Sequence, residues 1–180
     1  DIYATAVDYD PKSEAAQLFS KKVQNKMLWA VTGYTAAELI SDRANPALPN
    51  MGLTSFKGSR VRQGDVTVAK NYLQQPEIDE LNRIVVMYLD YAEDMARRRK
   101  TMTMREWEDK LDAFLQFNER DVLTHAGKIS PQVAERLALE RYAEFDARRR
   151  EAERLAADAE DVRALEQIER QLESKERKTK

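Results

Sequence analysis

Two carboxylates two residues apart, Asp8 and Asp10, open the set of side chains that could do chemistry. Oxygen ligands so placed suit a hard cation such as Mg²⁺, or an acid/base pair. The competing reading is structural. Asp10 precedes Pro11, the pattern of a capped helix start, which leaves Asp8 as a turn residue. The second set is Gln24, Asn25 and Lys26, between Val23 and Met27 in the middle of the first helical stretch. Asn is a mediocre helix former, so local propensity does not account for it. With Asn71, Asn82 and Arg83 these residues make the leading ligand- or partner-binding candidate, set against a plain structural hydrogen-bond network.

The third set is basic. Residues 51–70 hold Lys57, Arg60, Arg62 and Lys70 against Asp65 alone, in a Gly-containing segment that suits phosphate groups. The Gly-x4-Gly-Lys-Ser/Thr order of a P-loop is missing, and a solvated loop is the plainer reading. The runs 97–100 and 148–150 suit a helix C-terminus and a solvated face. A helix-turn-helix over 23–43 has a fitting turn at Thr32-Gly33-Tyr34, but its second helix offers Glu38 and Asp42 against Arg43, too little cation for a DNA groove. His125 has no Ser or Asp partner in a recognisable order and reads as non-catalytic. Trp29, Tyr88, Tyr91, Trp107, Phe114 and Phe117 recur at helical spacing and read as core.

Composition bounds what can hold these groups. The chain has 180 residues, with 30 Lys+Arg against 32 Asp+Glu. That length supports one core rather than two. With no Cys and one His, disulfides, thiolate metal sites and two-His metal motifs drop out. No apolar run is long enough for a membrane span. Five Gly and five Pro leave little turn material, which favours long helices over many short strands. The start at Asp1 suggests a piece of a longer protein, and a cytoplasmic setting is expected.

The elements follow from caps and periodicity. Asp10-Pro11 predicts a helix over 11–32, ended by Gly33. Thr35 with Glu38 is a capping box for a second helix, stopping before Pro46. Residues 45–64 are irregular, with a small hairpin as an option at 53–63, and Asp65 is expected to cap a short helix over 65–73. A long helix runs over 76–99. Thr103 with Glu106 starts another at 104, which 119–126 extend or restart until Gly127. Ser130-Pro131 opens a final helix that continues beyond 170. From about 147 its large apolar residues thin out to Leu155, Val162, Leu165 and Leu172, fewer than a stable coiled coil shows.

Several words in the chain are distinctive: DIYATAVDYDP, VQNKMLWAVTG, TAAELISDRA, PNMGLTSFKG, DVTVAKNYL, LNRIVVMYLDYAEDMA, WEDKLDAFLQFNERDVL and GKIS. In that order, over residues 1–146, they resemble the C-terminal part of the RhuM family of bacterial virulence-associated proteins. The resemblance implies a helical region that normally follows an N-terminal region similar to the DNA-binding modules of phage antirepressors. Some relatives are linked to Fic/Doc-type toxins. The HxFx(D/E)GN-type motif of Fic enzymes does not occur in this chain.

The expectation is an all-α multi-helix bundle over 1–146, with one irregular loop or small hairpin near 46–64, and a charged helical extension over 147–180. The expected function is a non-enzymatic interaction or regulatory module. It binds a protein partner or a second copy through its C-terminal helix, without cofactor, metal or membrane. Nucleic acid would be bound through the preceding region. The alternative is a toxin-like enzyme acting on a nucleotide or nucleic acid through Asp8, Asp10, Lys26, Asn71 and Arg83, with Mg²⁺ as an optional aid.

Overall fold

The computed structural model describes residues 6–178, with side chains through residue 170. Five α-helices follow in order: α1 (Glu14–Thr32), α2 (Ala36–Arg43), α3 (Gln75–Arg97), α4 (Met104–Phe117) and α5 (Pro131–Lys178). Among the described residues there is no strand; a lone parallel bridge pairs Ala6 with Met102. The all-α expectation holds.

Helix α1 begins later than Asp10-Pro11 suggested. Ser13 is the cap, and its hydroxyl accepts the Ala16 N–H at 3.1 Å. Asp10 instead closes the preceding turn, where its carboxylate takes the Lys12 N–H and its carbonyl takes the Ser13 N–H. Ala16, Phe19, Val23 and Met27 form the buried stripe of α1, and Gly33 ends the helix in the left-handed region at φ 71°. α1 packs on α3 and α4, and α2 packs on α5. The core runs through Leu39, Met51, Tyr72, Ile84, Tyr88, Trp107, Leu111 and Leu115, all at most 2 % exposed.

The long connection from α2 to α3 is irregular, without the optional hairpin. It holds two 3-10 turns, Pro49–Gly52 and Ala69–Tyr72. The helix expected over 65–73 is only the second of these. Asp65 turns its carboxylate back to the Arg62 N–H rather than forward, and Val66, Thr67 and Val68 are β-branched. Side chains then lock the bend: the Tyr72 hydroxyl donates to Val66 O at 2.8 Å and Asn71 Nδ2 to Asp65 O at 2.9 Å. Gly52 is required at φ 83°, because an added Cβ would stand 2.5 Å from Arg43 O.

Helices α3 and α4 start as their capping boxes require, Gln74 with Glu77 and Thr103 with Glu106. Both end without glycine. At the end of α3, Arg99 takes φ 53° while Lys100 N donates to Met95 O. At the end of α4, Glu119 takes φ 56° while Arg120 N donates to Leu115 O. The same wrapped C-terminus therefore stops both helices. It also explains why 119–126 neither extend α4 nor restart a helix.

Candidate functional site

The polar residues of α1 face in different directions. Lys26 is buried, and its Nζ donates to both carboxylate oxygens of Asp112 on α4, at 2.7 and 2.8 Å. Glu108 stands at 3.8 Å from the same ammonium and at 3.5 Å from Lys22. The group is a clamp between α1 and α4. Asn25 Oδ1 accepts the Ala36 N–H at 2.8 Å and so caps the first turn of α2 from a neighbouring helix. Gln24 is exposed.

The remaining candidates are distributed over several elements. Asp8 Oδ1 accepts the Met104 N–H at 2.8 Å, at the start of α4. Asn71 holds the 53–73 segment together, its carbonyl accepting Thr54 N and its amide reaching Asp65 O. Asn82 and Arg83 are exposed on α3. Lys57, Arg60, Arg62 and Lys70 are exposed as well, and Arg60 pairs with Glu153 on α5 at 3.5 Å. His125 lies edge-on to Trp29, with ring centroids 4.8 Å apart, and its Nδ1 accepts the Gly127 N–H. No group of three or more metal-ligating side chains occurs among the described residues.

The strongest polar networks join residues that the sequence marks only as parts of a cap, as with Thr35 and Glu38, or not at all. Glu38 is buried and works twice. One carboxylate oxygen accepts the Thr35 N–H and hydroxyl, while the other accepts the Lys128 N–H at 2.7 Å. Burial pushes its carboxyl up, but the bonds from Lys128 and Thr35, with the His125 charge nearby, outweigh that and hold it below its ordinary value. Gly127 permits the close approach, since a Cβ there would lie 2.9 Å from Thr35 Cγ2. Arg43 forms a two-pronged pair with Glu77 on α3, both contacts at 2.6 Å, and donates to Tyr72 O. Hydrogen bonding from Arg43, with burial opposing it, keeps the Glu77 carboxyl low. Arg141 on α5 donates to Ser41 O and Ala44 O, both at 2.7 Å, closing the C-terminal end of α2. The readable signal for Arg141 is a lone cation in line with Ala134, Ala138 and Phe145 on the packed face of α5.

The far part of α5 takes no part in these networks. The helix spans 48 residues, about 72 Å at the α-helical rise. Ala134 and Ala138 are buried and Tyr142 and Phe145 half-buried. From 150 to 170 every described side chain is exposed, including Leu155 at 55 %, Val162 at 55 %, Leu165 at 66 % and Ile168 at 54 %. Ion pairs there are local, such as Arg154 with Glu151 at 2.8 Å and Arg170 with Glu166 at 3.7 Å. Where the helix leaves the body, an open groove of about 580 Å³ runs along it, lined by Gln63, Leu139, Tyr142, Asp146, Arg150 and Arg154 among others. No helix among the described residues is long and apolar enough to cross a membrane.

No curated protein and no solved structure matches the chain. A family model described as "Virulence protein RhuM family" matches residues 1–153, which takes in α1 to α4 and the packed part of α5. The chain belongs to the RhuM family of virulence proteins.

Proposed function

We propose that this chain is a non-enzymatic interaction module of a RhuM-family protein, with α5 as its protein-binding arm. The supporting observation is the contrast along α5. Its first turns are buried against α2, and its distal turns carry four large apolar side chains more than half exposed. Fully burying one such side chain contributes about 1.5–3 kcal/mol, so a partner covering several of them gains a usable affinity. Most polar residues that would serve an enzyme have structural partners instead, Lys26 with Asp112, Asn25 with α2, Asp8 with α4 and Asn71 with Asp65, while Arg83 stands apart from them, exposed on α3. In the whole protein the module follows an antirepressor-like DNA-binding region and joins two such regions, or one region and a protein partner. Self-association is the simplest use of the arm.

The test is light scattering on the full chain at rising concentration. A dimer is expected at tens of micromolar, together with a monomer when Val162→Glu and Leu165→Glu are combined. Both positions are exposed, so the change leaves the body intact. A wild-type chain that stays monomeric and a dimer that ignores the double substitution would each overturn self-association through α5.

A further inference from the structure

Helix α5 is electrically polarised along its length. Residues 147–154 hold four basic side chains against two acidic ones, whereas residues 156–169 hold five acidic ones against Arg163. The basic end has neighbours of its own sign. The segment 57–63 contributes Lys57, Arg60 and Arg62 with no acid, and it lies against α5 through Arg60 to Glu153 and through the Tyr142 hydroxyl to Val61 O at 3.5 Å. The groove sits at this end; its apolar lining is Leu139, Tyr142, Ala143 and Ala147, and its charged lining is balanced, Arg150 and Arg154 against Asp146 and Glu151. The acidic stretch carries the exposed Val162, Leu165 and Ile168. The positive excess lies beside the groove, on Lys57, Arg60, Arg62, Arg148 and Arg149, so one helix bears both an apolar-lined groove with a basic flank and an anionic ridge with apolar side chains.

We propose that the occupant of this groove is the acidic stretch of a second copy of the chain, the two α5 helices running antiparallel. This rests on the self-association reading above and gives it an orientation. A two-fold axis near Leu155 lays residues 156–169 of each chain over residues 141–154 of the other. Leu165 and Ile168 then come to the level of Phe145 and Tyr142, and Asp161 and Glu160 to the level of Arg149 and Arg150. A parallel pair would instead set Asp158, Asp161 and Glu169 of the two chains side by side and leave both grooves empty. Opposite charges facing each other fix orientation and register more than they raise affinity.

The chain has no cysteine, so introduced ones label cleanly. In the full chain, Gln167→Cys and Ala143→Cys are made separately and spin-labelled; both positions are exposed. Antiparallel docking predicts a 167-to-167 separation of about 36 Å, from 24 residues of helical rise, and a short 143-to-167 distance when the two variants are mixed. A short 167-to-167 distance overturns the antiparallel docking while leaving self-association standing. Loss of dipolar coupling together with a monomer by light scattering overturns both. Charge reversal supplies the second arm. Arg149→Glu with Arg150→Glu, and separately Glu160→Arg with Asp161→Arg, should each weaken self-association about tenfold or more, and mixing the two variants should restore a heterodimer. Undiminished homodimers of either variant would remove the charge pairing from the proposal.

Discussion

Charged residues are about twice as frequent in the distal part of α5, where 19 of the 34 positions from residue 147 on are charged, as in the body, where 43 of 146 are, and the two sets do different things. In the body they reach across the fold: Lys26 to Asp112 between α1 and α4, Arg43 to Glu77 between α2 and α3, Glu38 to Lys128, and Arg141 to the end of α2. Each has a partner distant in sequence and is at least partly withdrawn from water. In the arm, Arg148 pairs with Glu144, Arg154 with Glu151 and Asp158, and Arg170 with Glu166, all within one turn. Such exposed pairs contribute only about 0.3–0.5 kcal/mol each to the helix. The first kind of pair decides which helix docks on which. The second kind keeps a helix formed and leaves its apolar side chains exposed.

The largest expected difference is in packing. Trp107 is 2 % exposed and lies edge-on to Tyr88 and Tyr91. Trp107→Ala should destabilise the monomer by about 3–5 kcal/mol. Leu165→Ala in the arm should change it by less than about 0.5 kcal/mol. Urea denaturation, followed at concentrations low enough to keep the chain monomeric, measures both. A comparable loss for Leu165→Ala would mean that the arm folds back on its own body.

The next effect is electrostatic. Asp112→Ala leaves the Lys26 ammonium in a buried position with Glu108 as its remaining neighbour. A cost of about 2 kcal/mol is expected, below that of breaking a fully buried pair because the Asp112 side chain is 31 % exposed. Lys26→Met, which removes the charge while keeping an unbranched chain, should cost less. If Lys26→Met proves the more damaging, the clamp acts through Coulomb attraction rather than through avoidance of an unpaired buried charge.

The fold was legible where local chemistry decides it. The Thr35/Glu38 and Thr103/Glu106 boxes, Gly33 and Ser130-Pro131 mark helix ends by themselves, and the buried face of α3 follows from period alone. What stayed hidden is long-range. Glu38 reads as one half of a cap, and nothing nearby says that its second oxygen takes the Lys128 N–H. Asn25, odd within a helix, becomes intelligible only when α2 is brought beside it. Arg99 and Glu119 occupy left-handed positions that usually signal themselves as glycine, so the ends of α3 and α4 were blurred. Asp10 reads as the cap in the sequence because it precedes Pro11, yet Ser13, three residues on, offers the same chemistry and takes the role.

The smallest expected effect, and the one that separates the two kinds of charge most cleanly, is on pH dependence. The Glu38 and Glu77 carboxyls lie below their ordinary value of 4.5 in the folded chain, and so does the fully exposed Glu151, through its bond from Arg154. A carboxyl depressed by folding contributes stability that is fully present above the unfolded value. That contribution is lost as pH falls from there through the lower folded value, because the unfolded chain takes up the proton first. Urea midpoints measured from pH 7 downward should therefore drop below about pH 4.5. Glu38→Gln should lower the midpoint at pH 7 and flatten the drop. Molar salt shortens the screening length to about 3 Å and should erase the share due to Glu151, whose partner is in water. The share due to Glu38 should survive, since its acceptor bonds from Thr35 and Lys128 are buried or partly buried and made at contact distance. If salt removed the whole pH dependence, the Glu38 latch would be a surface interaction like those of the arm, and the distinction between body and arm would no longer rest on where the charges find their partners.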